Sequence, residues 1–271
     1  MAPTQMIGVF DSGYGGLTIL RAIHRALLEY STMYLGDNAH APYGVLSDEE
    51  ILELTRRGVE ILFQKGCTLV ILGCNTASAA ALHKLQQEWL PRAYPNNKIL
   101  GIIVPTVEAI STTSHKTVGV LATSHTVATG AYETEIHNRN KDIKVVQYAC
   151  SNLAGIIEKL GVENPRAHKE AKNHVERFLA LEPHPDAVLL GCTHYDLIAE
   201  YIRTLLPPNT QLIRQPEIVA KSLGEYLVRH PEIESQVEKT GKRVYFTTGN
   251  PEEVSKKSSE LMGEPTVFTQ I

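Results

Sequence analysis

Short apolar runs alternate along this chain with longer stretches in which apolar positions recur every three or four residues. Runs at 6–10, 32–36, 68–73, 98–103, 117–122, 144–148, 186–191, 210–214 and 243–247 read as buried strands. Between them, Leu17, Leu20, Ile23, Leu27 and Leu28 fall on one helical face. Ile51, Leu54, Val59, Leu62 and Phe63 do the same in the next stretch. Strands alternating with helices predict an α/β protein, with mostly parallel sheets flanked by helices on both faces.

The pattern repeats itself. Leu69-Val70-Ile71-Leu72-Gly73-Cys74-Asn75-Thr76 is echoed by Ala187-Val188-Leu189-Leu190-Gly191-Cys192-Thr193-His194, the two cysteines lying 118 residues apart. Ile7-Gly8-Val9-Phe10-Asp11-Ser12 is echoed 111 residues later by Val118-Gly119-Val120-Leu121-Ala122-Thr123. Parallel strands resemble one another in any case, being β-branched runs that end in glycine. The shared Gly-Cys junction at nearly the same offset favours two similar lobes.

Open α/β sheets bind ligands beyond the carboxyl ends of their strands. Two facing lobes would bring together Asp11-Ser12, Cys74-Asn75-Thr76, Thr123-Ser124-His125-Thr126 and Cys192-Thr193-His194. This set of bases, small hydroxyls and amides suits a small polar ligand. A thiol at a helix N-terminus is favoured as thiolate by the dipole and the free N–H groups. Two such thiols, one per lobe, are what a reaction needs if it removes a proton from one face of a carbon and returns one to the other. Asn75, Thr76, Thr123 and Thr126 are placed to donate hydrogen bonds to developing carboxylate charge. Asp11 reads equally as an acid–base group and as an N-cap for the helix that follows. His194 reads equally as a site residue and as a core histidine. Asp11-Ser12-Gly13-Tyr14-Gly15-Gly16 lacks the Lys-Ser/Thr of a phosphate loop. Pro42-Tyr43-Gly44 is a turn by composition, and its N–H groups at Tyr43 and Gly44 are available to a carboxylate.

Composition narrows the class. With 271 residues, 43% of them apolar, the chain can build one large core or two packed lobes. A net charge of −4 and no Lys/Arg run speak against nucleic acid. No apolar run is long enough to span a bilayer, and the chain enters a strand without a leader-like segment, so a cytoplasmic location is expected. The four cysteines form no CxxC and no zinc-like spacing, so no metal is expected. Cys67 and Cys150 read as small buried apolar residues.

Phe10-Asp11-Ser12-Gly13-Tyr14-Gly15-Gly16-Leu17-Thr18, Gly36-Asp37 through Ala41-Pro42-Tyr43-Gly44, Gly73-Cys74-Asn75-Thr76-Ala77-Ser78 and Leu190-Gly191-Cys192-Thr193-His194-Tyr195 stand here in one order. In these motifs and over nearly its whole length the chain resembles the cofactor-independent glutamate racemases of the aspartate/glutamate racemase superfamily. The resemblance implies interconversion of L- and D-glutamate by two bases, with neither pyridoxal phosphate nor metal. It implies that Cys74 takes the α-proton from D-glutamate while Cys192 supplies one to the opposite face, and that the roles reverse for L-glutamate. Asp11 would assist Cys74, and His194 would assist Cys192. Glu158, eight residues beyond Ala149-Cys150, matches the family's glutamate that supports the histidine. Asp11, Ser12, Pro42, Tyr43, Gly44, Asn75, Thr76, Thr123, Thr126, Thr193 and His194 would hold the substrate, with Tyr43 and Gly44 on its side-chain carboxylate. The resemblance further implies a homodimer, a role in supplying D-glutamate to peptidoglycan, and lobes of 1–98 plus 214–271 and of 99–213.

Some positions depart from the common pattern. Asn38 and His40 stand where Thr or Ser and Arg are frequent, Val104 where Glu is frequent, and Asp196 where Pro is frequent. None removes a proposed catalytic group. An aspartate racemase of the same superfamily would use the same two thiols. A glutamate-binding module would have no reason to carry them, and a thiol redox protein would bring its cysteines close in sequence.

Overall fold

The computed structural model describes residues 5–271. Ten strands run through it: β1 (Met6–Asp11), β2 (Thr32–Gly36), β3 (Cys67–Leu72), β4 (Lys98–Gly101), β5 (Thr117–Ala122), β6 (Lys144–Ala149), β7 (Ala187–Gly191), β8 (Gln211–Ile213), β9 (Arg243–Thr247) and β10 (Thr269–Gln270). They form two sheets in which every pairing is parallel. One sheet has the order β10-β9-β2-β1-β3-β4, the other β6-β5-β7-β8. Four consecutive strands at one end of the first sheet, β2-β1-β3-β4, match the second strand for strand. β1 therefore corresponds to β5, and β3, which leads to Cys74, corresponds to β7, which leads to Cys192.

Each sheet carries an apolar cluster on each face, as a doubly covered parallel sheet requires. Helix Gly16–Ala26 buries Leu17, Leu20 and Ile23 and packs on Pro216–Arg229. The helix stops at Ala26, so Leu28, expected on the same apolar face, is 72% exposed. Helix Asp48–Gln64 begins with a full capping box from Ser47 and Glu50 and buries Ile51, Val59, Leu62 and Phe63. Leu54 is only partly buried.

Two further expectations need correction. The run 98–103 yields a strand only as far as Gly101, because Ile103 opens helix Ile103–Ser111, which buries Ile103, Val107 and Ile110 on one face. β4 pairs with β3 in the six-stranded sheet, so a lobe limit after residue 98 cuts a strand. We propose the limit after Gly101 instead. The return crossing follows β8 and precedes helix Pro216–Arg229, which packs on the first lobe.

Candidate active site

The carboxyl ends of β1, β3, β5 and β7 converge between the lobes. Asp11 ends β1 and is fully buried. Its Oδ1 accepts the Gly13 N–H at 2.8 Å, and its Oδ2 accepts the Thr193 hydroxyl of the other lobe at 3.5 Å. Asp11 is not the N-cap of the next helix: Gly15 holds that position without a side-chain bond. Cys74 caps helix Asn75–Ala80, its Sγ accepting the Ala77 N–H at 3.5 Å and lying 3.4 Å from Ser12 Oγ. Cys192 precedes the short helix Thr193–Asp196, with its Sγ 3.9 Å from His194 Nδ1. The other ring nitrogen, Nε2, lies 2.5 Å from Glu158 Oε2.

Glu158 joins the lobes at this point. Its Oε2 also accepts the Tyr14 N–H at 3.3 Å, and its Oε1 accepts the Asn38 amide at 3.5 Å, both from the first lobe. The glycines of the Asp11 loop make room for this approach. A Cβ on Gly13 would lie 2.5 Å from Glu158 Oε1, and one on Gly15 would lie 2.8 Å from His194 Nδ1.

The hydroxyls gather on the opposite side. Thr76 Oγ1 lies 3.0 Å from Thr123 Oγ1 and 3.3 Å from Thr126 Oγ1, and Thr123 caps the helix that carries Thr126. Tyr43 and Gly44 reach the same place: a Cβ on Gly44 would meet Thr123 Cβ at 2.9 Å. The Tyr43 hydroxyl donates to Asp37 Oδ2 at 2.6 Å, and Thr248 donates to Asp37 Oδ1 at 2.7 Å. Asn75 donates to Gln215 Oε1 at 2.7 Å and accepts from the Tyr132 hydroxyl. Pro42 stands apart from this group: it packs close to Gly155, where an added Cβ would meet Pro42 Cγ at 3.3 Å, and with Gly155, Asn152 and Lys159 it lines a surface cavity of about 360 Å³. Asp37, Tyr132 and Gln215 escape sequence reasoning. Asp37 at least lies inside a motif, whereas Tyr132 and Gln215 carry no local signal.

Burial dominates the electrostatics. It pushes the Asp11 carboxyl above its ordinary range, although His194 and the Gly13 and Gly16 N–H groups work against it. Burial, and after it the Asp11 charge, push the Cys74 thiol up to about 12, against the Ser12 hydroxyl and the Ala77 N–H. These influences favour the Cys74 thiol over the expected thiolate. The six-residue helix behind it is too short to outweigh desolvation and a neighbouring carboxylate. At His194 burial opposes the charge, but Glu158 and the Cys192 thiol raise its pKa well above the ordinary value. Burial and Asp37 keep Tyr43 a protonated donor. Burial also raises Cys67, to about 12, and Cys150. Among the described residues, no cluster of three His, Cys, Asp or Glu side chains is placed to hold a metal, and no helix is long and apolar enough to cross a membrane.

The sequence of the chain matches a known family. Its profile, Asp/Glu/Hydantoin racemase, fits residues 7–223. This chain belongs to that family. A glutamate racemase of Paracoccus denitrificans is 41% identical over 273 residues, covering 97% of this chain and 98% of its own. A crystal structure of a glutamate racemase isoform from Bacillus anthracis superposes with a TM-score of 0.88 at 30% identity, covering 99% of this chain and 98% of that one. The glutamate racemase of Francisella tularensis, solved in complex with D-glutamate, gives a TM-score of 0.84 at 28% identity, covering 99% and 96%. Family membership thus rests on the sequence of the whole chain as well as on its fold.

Proposed function

We propose that this chain interconverts L- and D-glutamate by a two-thiol reaction. The observation that carries the reading is the placement of Cys74 and Cys192 at equivalent strand ends of two matching lobes, backed by Asp11 and by the His194–Glu158 pair. The relatives that share both the fold and the full length of the chain are glutamate racemases.

The α-carbon of an amino acid is very weakly acidic. Removing its proton needs a base in contact, exclusion of water and donors aimed at the carboxylate where charge develops. Both thiols are almost fully buried, at 6% and 5% exposure, so the closed lobes exclude water and must part to admit substrate. In the D-to-L direction Cys74 takes the α-proton and Cys192 delivers one to the opposite face; the reverse direction exchanges the roles. Asp11 receives the Cys74 proton, for which its raised pKa suits it. A substrate ammonium beside Asp11 would cancel the charge that helps hold the Cys74 thiol protonated. On the other side the His194 imidazolium, sustained by Glu158, steadies a Cys192 thiolate. Asn75, Thr76, Thr123 and Thr126 take the α-carboxylate, with Ser12 and Thr193 beside the two thiols. Tyr43 and Gly44 take the side-chain carboxylate, and Pro42 shapes their turn. This division of labour calls for no metal and no pyridoxal phosphate. We further propose that the enzyme works in the cytoplasm as a homodimer and supplies D-glutamate for peptidoglycan, as the resemblance implies.

Circular dichroism of the purified protein with D-glutamate, and separately with D-aspartate, tests the reading. Loss of optical activity with glutamate and little or none with aspartate is expected. The opposite preference would make the chain an aspartate racemase, and binding of glutamate without turnover would make it a binding module.

A further inference from the structure

Behind Asn75 lies a closed ring of hydrogen bonds. Asn75 Nδ2 donates to Gln215 Oε1 at 2.7 Å, Gln215 Nε2 donates to the Tyr132 hydroxyl at 2.9 Å, and that hydroxyl donates to Asn75 Oδ1. The second Gln215 hydrogen goes to Thr106 Oγ1 at 3.0 Å, whose own hydrogen goes to the Ile102 carbonyl at 2.7 Å. Every member is buried. Because Gln215 donates to the tyrosine, the tyrosine must donate to Asn75, so all bonds run the same way round. The ring therefore admits one orientation of the Asn75 amide and leaves one Nδ2 hydrogen uncommitted.

Its members come from places that matter together. Asn75 follows Cys74. Gln215 stands on the returning crossing between the lobes and Ile102 on the outgoing one. The Tyr132 ring lies against Gly191, the residue before Cys192, where an added Cβ would meet Tyr132 Cε2 at 3.2 Å. The network thus spans both thiol loops and both crossings. A buried polar ring of this kind fixes a unique arrangement when fully satisfied and is costly when one member is lost.

We propose that Gln215 is a positioning residue for the reaction: through this ring it aims the Asn75 amide at the substrate carboxylate and ties that aim to the junction of the two lobes. The proposal rests on the racemase reading given above.

Steady-state kinetics with D-glutamate on the full chain, the Gln215→Leu and Asn75→Ala variants and their combination provide the test. Gln215→Leu is expected to lower kcat/KM by about tenfold to a hundredfold, as loss of a buried hydrogen-bonding partner does. In the Asn75→Ala background the same change is expected to do almost nothing, because Gln215 acts through Asn75. Equal losses in both backgrounds, or a single variant with normal kcat/KM, would overturn the proposal. If Gln215→Leu does not fold, Tyr132→Phe breaks the ring at its other donor and takes its place in the cycle. A second readout needs no turnover. In ¹⁵N-resolved NMR spectra the Asn75 side-chain amide should show two distinct protons, of which the one held by Gln215 exchanges slowly with solvent, and that protection should be lost in the variant; rapid exchange of both protons in the unaltered protein would refute the ring. Absence of turnover by the unaltered protein would count against the racemase reading itself, and the amide spectrum would still decide the ring.

Discussion

Glu158→Gln isolates the charge that the structure places behind Cys192. The Glu158–His194 pair is 2.5 Å apart at its closest atoms and buried on both sides. Taking the charge centres as ~4 Å apart in an effective dielectric near 20, the attraction is about 4 kcal/mol. Removing that charge lowers the imidazole's pKa from its raised position back toward the ordinary range. Glutamine keeps a hydrogen bond but not the charge, so part of the interaction survives. The expected fall in kcat/KM is about a hundredfold to a thousandfold. It must be equal in both directions, because the equilibrium constant between enantiomers is unity. In the unaltered protein the imidazolium persists well above its ordinary pKa, so the limb of the pH profile that reports its loss lies on the alkaline side. In the variant that limb moves toward acid. Stability follows the same sign: the contribution of a raised His194 pKa is complete below the unfolded value of about 6.5 and disappears as pH rises through the folded value. Circular dichroism with each enantiomer across neutral and alkaline pH, alongside thermal melts, reads all of these. A variant with near-normal kcat/KM and an unmoved profile would refute the assignment of Glu158.

Other expectations follow from the same geometry. Cys74→Ala and Cys192→Ala should each abolish racemisation with little change in melting temperature, since each removes one of two proton carriers; turnover near normal in either would break the two-base scheme. Cys74→Ser should be nearly as severe, because a hydroxyl is a far weaker base near neutral pH. Gly15→Ala is expected to cost more in kcat/KM than in stability, because its Cβ would lie 2.8 Å from His194 Nδ1 and 2.9 Å from His194 N and hold the lobes apart; an overpacking cost of about 1–3 kcal/mol is the scale, and unimpaired turnover would show that the lobes need not close this far. All four cysteines are free and buried, so a chromogenic thiol reagent should react slowly with the native protein and promptly after denaturation. Fast native reaction of Cys67 or Cys150 would contradict their burial.

Much of this arrangement was legible in the chain because parallel sheets advertise themselves. β2, β5 and β9 fall at the expected residues, since each is an apolar run bounded by turn chemistry. The twin Gly-Cys phrases marked equivalent strand ends, and the matching strand orders of the two sheets explain why they look alike. The run 98–103 misled because an apolar run cannot say where a strand gives way to a buried helix. β10 was missed because two exposed edge residues leave no pattern. The expected Cys74 thiolate failed for a different reason: a helix terminus is visible in sequence, but the burial and the nearby carboxylate that outweigh it are not. Tyr132 and Gln215 lie 57 and 140 residues from Asn75, and only the folded chain brings them together.

The central claim is that two thiols work on opposite faces of one carbon. Its most direct test is to start from a single glutamate enantiomer in D₂O and follow the α-position of substrate and product at low conversion. Two bases predict that the product carries solvent deuterium from the first turnovers while the remaining substrate keeps its proton. Product that retains the original α-proton would show one group abstracting and returning it, and would contradict the account.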